Sequence, residues 1–162
     1  MDLNAAKLCR YNNWANGRIF THLKSLPEGL VFQPVQSVFP SIFDTLVHMY
    51  VVDMGWFEVL TTPGYQPSRE GIDKLVETTK GCGPEEMEVL LSAIQAKFLA
   101  FVELQDMNST VDYGGMDFRY GDIVQHVVNH GTYHRGNITA MLRQLGHTGI
   151  QQDYSLYVYT FK

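Results

Sequence analysis

The most constraining stretch of the sequence is TLVHMYVVDMGWFEVL, residues 45–60, which is apolar on nearly every side of a helix. A helix without a polar face must be buried on more than one side, so this segment predicts a central helix packed among others. The preceding tetrapeptide SIFD is typical of a capping box, in which Ser41 caps the helix and Asp44 reaches back. His48 and Asp53 lie inside this second helix, where polar groups are costly to bury.

Three further segments have the apolar spacing of amphipathic helices, and they cover residues 4–26, 83–106 and 121–145. Pro27 ends the first of them, and Gly146 caps the last. Because 45% of the residues are hydrophobic, the chain can bury a substantial core. These features predict an all-α protein, a four-helix bundle with long connecting loops, formed by a single domain over residues 1–162.

Three stretches outside these helices are not assigned by their pattern. Residues 61–82 contain several prolines and glycines and predict a long loop, with room for one helical turn near residues 73–78. Residues 107–119 contain a Gly-Gly turn and suit either an irregular loop or a small hairpin. The tail DYSLYVYTFK alternates like a strand but is short, so both helix and strand stay open.

Charge and cysteine content narrow the classes of partner. The net charge is -5 and the basic residues are scattered, which argues against binding of nucleic acid. Cys9 and Cys82 form no CxxC pair, so two free thiols in a reducing cytoplasm are expected. The first residues carry charges and asparagines where a signal peptide is apolar, and no window resembles a membrane span. We therefore expect a cytoplasmic protein with no membrane association.

Three of the six histidines, His126, His130 and His134, recur every four residues along one stripe of the fourth helix. On a helical wheel, His134 lies roughly 40° from the centre of the apolar arc, His130 roughly 80° and His126 roughly 120°. The wheel therefore predicts that His134 and His130 face inward and that His126 is the most peripheral.

Two neighbouring imidazoles on a core-facing stripe need polar partners, and one divalent cation would serve both. His48, in the most apolar helix, could complete a three-histidine face if the second and fourth helices pack together. The alternative is that all three are hydrogen-bonded core residues without a metal. His22 and His147 lie near helix ends and are predicted to be surface residues.

Several common catalytic motifs are absent from the sequence. Gly131 follows His130, so there is no HExxH motif with its glutamate base. The sequence also lacks a GxSxG elbow and a Gly-rich phosphate loop, and catalytic residues therefore stay unassigned.

The segments RYNNWANGRIF, SIFDTLVHMYVVDMGW and HVVNHGTYHRGN, in this order and at these separations, resemble the DinB family. The resemblance spans nearly the whole chain. It implies a four-helix bundle with up-down-down-up topology, commonly a homodimer, and a divalent metal held by His48, His130 and His134. Zinc and nickel are the leading metals, since imidazole suits both. The family name refers to DNA-damage-inducible regulation and not to DNA binding.

Relatives in this family are similar to enzymes that use low-molecular-weight thiols, including mycothiol-dependent and bacillithiol-dependent transferases. The leading hypothesis is therefore a metal-dependent transferase that activates such a thiol for attack on a small molecule. The alternatives are a metal-dependent hydrolase of a small amide or ester, or a non-catalytic metal-binding stress-response protein. Asp53, Arg135 and Asn137 could support the metal ligands. Aromatic residues that could line a substrate pocket are Trp14, Trp56 and Tyr120.

Overall fold

The computed structural model describes residues 3–161, which form six α-helices and one two-stranded hairpin. In chain order the elements are α1 Leu3–Lys24, α2 Ile42–Thr61, α3 Arg69–Glu77, α4 Pro84–Leu104, β1 Thr110–Tyr113, β2 Met116–Arg119, α5 Tyr120–Gln144 and α6 Tyr154–Thr160. A short 3₁₀ turn, Leu30–Phe32, lies in the connection between α1 and α2. The four long helices lie where the apolar spacing predicts them.

The four long helices form a bundle in which α1 and α2 each pack against both α4 and α5. Helix α2 also contacts α3 and β1, so protein surrounds it on several sides. This accounts for the nearly continuous apolar sequence of α2, whose inward side chains include Ile42, Leu46 and Met49, each at most 2% exposed. The predicted four-helix bundle with long connections is confirmed, and the small hairpin is an addition to it.

Local capping explains where the helices begin and end. The Ser41 hydroxyl accepts the Asp44 amide at 3.1 Å, as predicted, but the Asp44 carboxylate accepts the Ser41 hydroxyl at 2.6 Å instead of the Ser41 amide. At the start of α4, the Glu86 carboxylate accepts the Gly83 amide at 2.9 Å. Gly146 adopts a φ of 81°, a left-handed conformation that suits glycine and terminates α5 as expected.

The two connections that the sequence left open have regular structure. The helical turn expected near residues 73–78 is the nine-residue helix α3, which starts earlier because the Ser68 hydroxyl caps it by accepting the Gly71 amide. Residues 110–119 form the hairpin, and the two turn glycines, Gly114 and Gly115, both have positive φ angles. Two consecutive positive φ angles are typical of a tight two-residue hairpin turn.

The tail is helical, although its sequence alternates like a strand. Helix α6 places Tyr157 against the rings of Tyr11 and Trp14, at centroid distances of 5.7 and 5.5 Å. Phe161, one turn further, lies 5.0 Å from Tyr157 and continues the same aromatic cluster. The helical spacing of these rings lets one side of the tail cover α1, and this packing decides the conformation.

The expectation that His22 and His147 are surface residues is only partly right, because both are half-buried. The His22 ring lies 2.7 Å from the Thr148 carbonyl oxygen, so the segment after α5 covers it.

No helix among residues 3–161 is both long and apolar enough to cross a membrane.

Candidate metal centre

The three histidines selected from the sequence come together between α2 and α5. His48 projects from α2, and His130 and His134 project from successive turns of α5. The Nε2 atom of His130 lies 3.1 Å from Nε2 of His48 and 3.0 Å from Nε2 of His134. The three ligand atoms all lie within 4.8 Å of one another. The order of burial also follows the helical wheel, because His134 is buried, His130 half-buried and His126 exposed.

Hydrogen bonds between the three imidazoles cannot satisfy all of these close contacts between nitrogen atoms. The Nε2 atom of a neutral imidazole either donates one hydrogen or accepts with one lone pair, so His130 can make only one of its two close contacts favourable. A cation between the rings would accept all three lone pairs at once. Nitrogen atoms bound at about 2.0 to 2.1 Å around a tetrahedral zinc ion are about 3.3 Å apart, close to the distances found here. The residues therefore fit a divalent metal.

The charge state of the cluster also suits metal binding. Burial, followed by the neighbouring charges of His134, His48 and His126, lowers the pKa of His130 to about 3. Burial, together with His48, lowers the pKa of His134 to about 4. Burial alone lowers the pKa of His48. All three imidazoles are thus neutral at pH 7 and present lone pairs without first releasing a proton.

Two aromatic rings that border the cluster were not predicted from the sequence. Phe39, in the connection before α2, lies 4.6 Å from the His48 ring and 5.7 Å from the His134 ring. Tyr133, which is 58% exposed, lies 4.9 Å from His134. Phe39 therefore covers one side of the cluster, whereas Tyr133 contacts it from an exposed position. No motif marks Phe39, because its place depends on how the α1–α2 connection folds back.

Asn137 is the one predicted supporting residue that contacts a candidate ligand. Its amide nitrogen lies 3.4 Å from Nδ1 of His134. If Nε2 of His134 binds a metal, Nδ1 carries the proton and requires an acceptor. A 180° flip of the Asn137 side-chain amide exchanges its nitrogen and oxygen and so presents the oxygen to that proton. The Nδ1 atom of His130 is buried and has no hydrogen-bond partner among residues 3–161.

Asp53 and Arg135 lie on other sides of their helices and do not support the histidines. The Arg135 guanidinium, 1% exposed, donates to the amide oxygens of Asn12 and Asn16 at 2.6 and 2.8 Å. It also donates to the Thr132 hydroxyl at 2.9 Å. Asn12 and Asn16 were overlooked, although both lie within the apolar stripe of α1, and a polar residue there is a signal of a buried network.

Of the three aromatic residues named as pocket candidates, only Trp56 lies near the histidines. Its ring is 5.0 Å from the ring of His126, which in turn stacks 6.1 Å from the ring of His130. Trp14 belongs to the aromatic cluster under α6, and Tyr120 packs against Phe101.

The model of the DinB family matches residues 1–160 of the chain. The chain belongs to the DinB family. It is 41% identical to Protein DinB of Bacillus subtilis (strain 168), in an alignment that covers 98% of this chain and 95% of that protein. The resemblance stated from the three sequence segments is therefore confirmed.

A solved structure supports the bundle independently. YfiT from Bacillus subtilis superimposes with a TM-score of 0.71 over 91% of each chain, at 14% sequence identity. That protein is described as a probable metal-dependent hydrolase with an unusual four-helix bundle topology. At this identity the likeness shows that the DinB-family chain shares the fold.

Proposed function

We propose that this DinB-family protein is a divalent-metal-dependent transferase of a low-molecular-weight thiol, with His48, His130 and His134 as the metal ligands. The observation that carries the proposal is the convergence of three neutral imidazoles, each with a ring nitrogen within 4.8 Å of a ring nitrogen of the other two. Three nitrogen ligands leave at least one coordination position for a small molecule. Zinc and nickel are the leading metals, since imidazole binds both.

The reaction needs a nucleophilic sulfur and an electrophilic carbon. When bound, a divalent cation supplies the positive charge that lowers the pKa of a thiol. The sulfur then forms a bond to the electrophilic carbon, the bond to the leaving group breaks, and the thiol proton goes to solvent. Phe39, 4.6 Å from His48, covers one side of the histidines, and the exposed Tyr133 ring beside His134 is placed to contact a substrate.

Hydrolysis of a small amide or ester is the second candidate, and the description of YfiT as a probable metal-dependent hydrolase favours it. Attack by water needs a base for a second proton transfer, and the side chains found around the histidines are Phe39, Tyr133, Asn137 and His126. Among these four, His126 is the candidate base for hydrolysis, whereas a metal-bound thiolate would attack without a base, which favours transfer from a thiol.

Metal binding is the first part of the test. Zinc at about 100 times its dissociation constant should stabilise the folded protein by about 2.7 kcal/mol. For a chain of this size that is a rise in Tm of roughly 5 to 10 °C. His134→Ala should abolish the rise, whereas the matched control His126→Ala should keep it and bind about one ion per chain. If zinc raises the Tm of His134→Ala as much as that of His126→Ala, the proposed metal site is wrong.

Product analysis is the second part. The zinc-loaded protein is incubated with 1-chloro-2,4-dinitrobenzene or a p-nitrophenyl ester, each with and without cysteine as the thiol. A thioether formed faster than by free zinc, and lost in His134→Ala, supports transfer. Ester cleavage that does not need the thiol supports the hydrolase instead. Metal binding without turnover across a set of thiols and electrophiles supports the non-catalytic alternative. The homodimeric state and the cytoplasmic location stay predictions from the sequence.

A further inference from the structure

A separate apolar cavity of about 150 Å³ lies on α2 beside the histidine cluster. Its floor is α2, and its walls come from the α2–α3 connection, α3 and the hairpin. The side chains and backbone that define it include Val52, Gly55, Trp56, Tyr65, Ile72 and Tyr113. These residues are almost entirely apolar or aromatic, in contrast to the imidazole cluster.

The cavity and the histidine cluster lie along the same side of α2. At 100° per residue, the α2 residues of the cavity form an arc centred about 10° from the direction of His48. Val52 follows His48 by one turn, about 6 Å along the helix axis, and Trp56 follows by two turns, about 12 Å. Trp56 also contacts the His126 ring at 5.0 Å, and His126 stacks on His130 at 6.1 Å. The cavity therefore lies on the same side of α2 as the histidines, one to two turns further along the helix.

Helix α3 contributes an apolar wall that the core does not use. None of its residues is buried, and Ile72 is 40% exposed although its side chain borders the cavity. On the opposite wall, the Tyr113 ring lies 5.1 Å from the Trp56 ring with the two planes inclined by 54°. The two rings thus border the cavity as an aromatic pair, a lining that suits contact with another aromatic ring.

The size of the cavity selects the kind of group that it can hold. An apolar space of about 150 Å³ has room for a molecule the size of benzene. A low-molecular-weight thiol carries several polar groups that this lining does not satisfy, and burying them without partners is costly. The apolar part of the second substrate, the electrophile, satisfies the cavity without such a cost.

We infer that this cavity binds a benzene-sized apolar ring of the electrophilic substrate and so holds its reactive carbon toward the histidines. The inference rests on the proposed function for the role of the ring in transfer, but not for the binding of the ring itself. The class of acceptor is thus an arene or benzyl compound with a leaving group near the ring, rather than a short polar electrophile.

Gly55 offers a clean way to fill the cavity. A β-carbon added at Gly55 meets nothing within 4 Å, so Gly55→Leu extends into the cavity without a clash of its first atom. Leucine is also a better helix former than glycine, so the variant should fold. Gly17→Leu is the matched control, because Gly17 lies inside α1, also has nothing within 4 Å, and does not border the cavity.

Binding is measured first with toluene as the probe, on protein without metal. The chain has two tryptophans, so its NMR spectrum has two indole N–H signals, which Trp14→Phe assigns. Toluene should shift the Trp56 signal saturably and leave the Trp14 signal in place, in wild type and in Gly17→Leu. In Gly55→Leu the affinity should fall at least tenfold. An unsaturable Trp56 response in wild type, or equal affinity in the two variants, would overturn the inference.

Turnover is measured second, with zinc and cysteine present. Gly55→Leu should lower the ratio of kcat/KM for 1-chloro-2,4-dinitrobenzene to kcat/KM for iodoacetamide, which has no ring, at least tenfold, and Gly17→Leu should leave that ratio within twofold of wild type. An unchanged ratio between the two electrophiles contradicts the inference even if toluene binds. If toluene binds and no thioether forms with any electrophile, the proposed function fails while the ring site stands. If iodoacetamide reacts and toluene does not bind, the inference alone fails.

Discussion

Replacement of Gly131 by alanine should test how tightly α5 is held against α1. Gly131 lies inside α5, one residue after His130, and is buried. A β-carbon added there would lie 2.6 Å from the amide oxygen of Asn12 and 2.9 Å from Nη1 of Arg135. Those two atoms are hydrogen-bonded to each other at 2.6 Å, so neither can move without weakening that bond. Glycine is required here by close packing, not by its backbone angles.

The size of the effect follows from three contributions. Overpacking of a well-packed interior costs about 1 to 3 kcal/mol. Weakening of a hydrogen bond made by a buried charged group costs about 1.5 to 3 kcal/mol. The replacement also stabilises the helix by about 0.5 to 1 kcal/mol, because alanine is a better helix former than glycine. Gly131→Ala should therefore lower the free energy of unfolding by about 2 to 5 kcal/mol, which at about 3 °C per kcal/mol lowers Tm by roughly 6 to 15 °C.

Urea unfolding at pH 7, followed by circular dichroism, measures the difference. Gly136→Ala is the matched control, because it lies five residues further along the same helix and an added β-carbon meets nothing within 4 Å. That control should be more stable than wild type by about 0.5 to 1 kcal/mol. If Gly131→Ala is as stable as Gly136→Ala, the close contact with the Asn12 and Arg135 side chains is not a constraint, and the reasoning fails.

Two further predictions concern buried titratable groups. Burial raises the pKa of Asp53 to about 8 against the opposing charge of Arg135, so the folded state keeps this proton to higher pH than the unfolded state. This carboxyl therefore lowers the free energy of unfolding as pH rises from about 4 to 8. Measured by urea unfolding between pH 5 and 8, the stability of Asp53→Asn relative to wild type should increase by up to about 1.4 kcal/mol per pH unit. A difference that does not change with pH would contradict this. Burial raises the pKa of Cys9 to about 12, whereas Cys82 is half-buried. A disulfide reagent such as DTNB at pH 8 should label one thiol in the native protein and none in Cys82→Ser, and labelling of native Cys82→Ser would show that Cys9 is accessible.

The sequence predicted the parts of this molecule that repeat regularly along a helix. The stripe of α5 ranked His134, His130 and His126 correctly, because the angle from the apolar arc determines how deeply each residue lies. It could not predict Phe39, whose position depends on the path of a connection without periodicity. The tail was ambiguous because alternation over a few residues carries little information, and the contact of Tyr157 with α1 determines its helix.

Adjacent residues of α5 serve two different interfaces, since neighbours in a helix differ in direction by about 100°. His134 faces α2, whereas Arg135 faces α1, where its hydrogen bonds go to neutral amide and hydroxyl oxygens. Asp53, the carboxyl that interacts with Arg135, has a pKa raised to about 8 and is mostly protonated at pH 7. The Arg135 charge is therefore largely uncompensated within this network at neutral pH. On the other side of α5, a divalent cation held by the neutral imidazoles, as proposed above, would add its own positive charge, and a positive charge favours a thiolate over a neutral thiol.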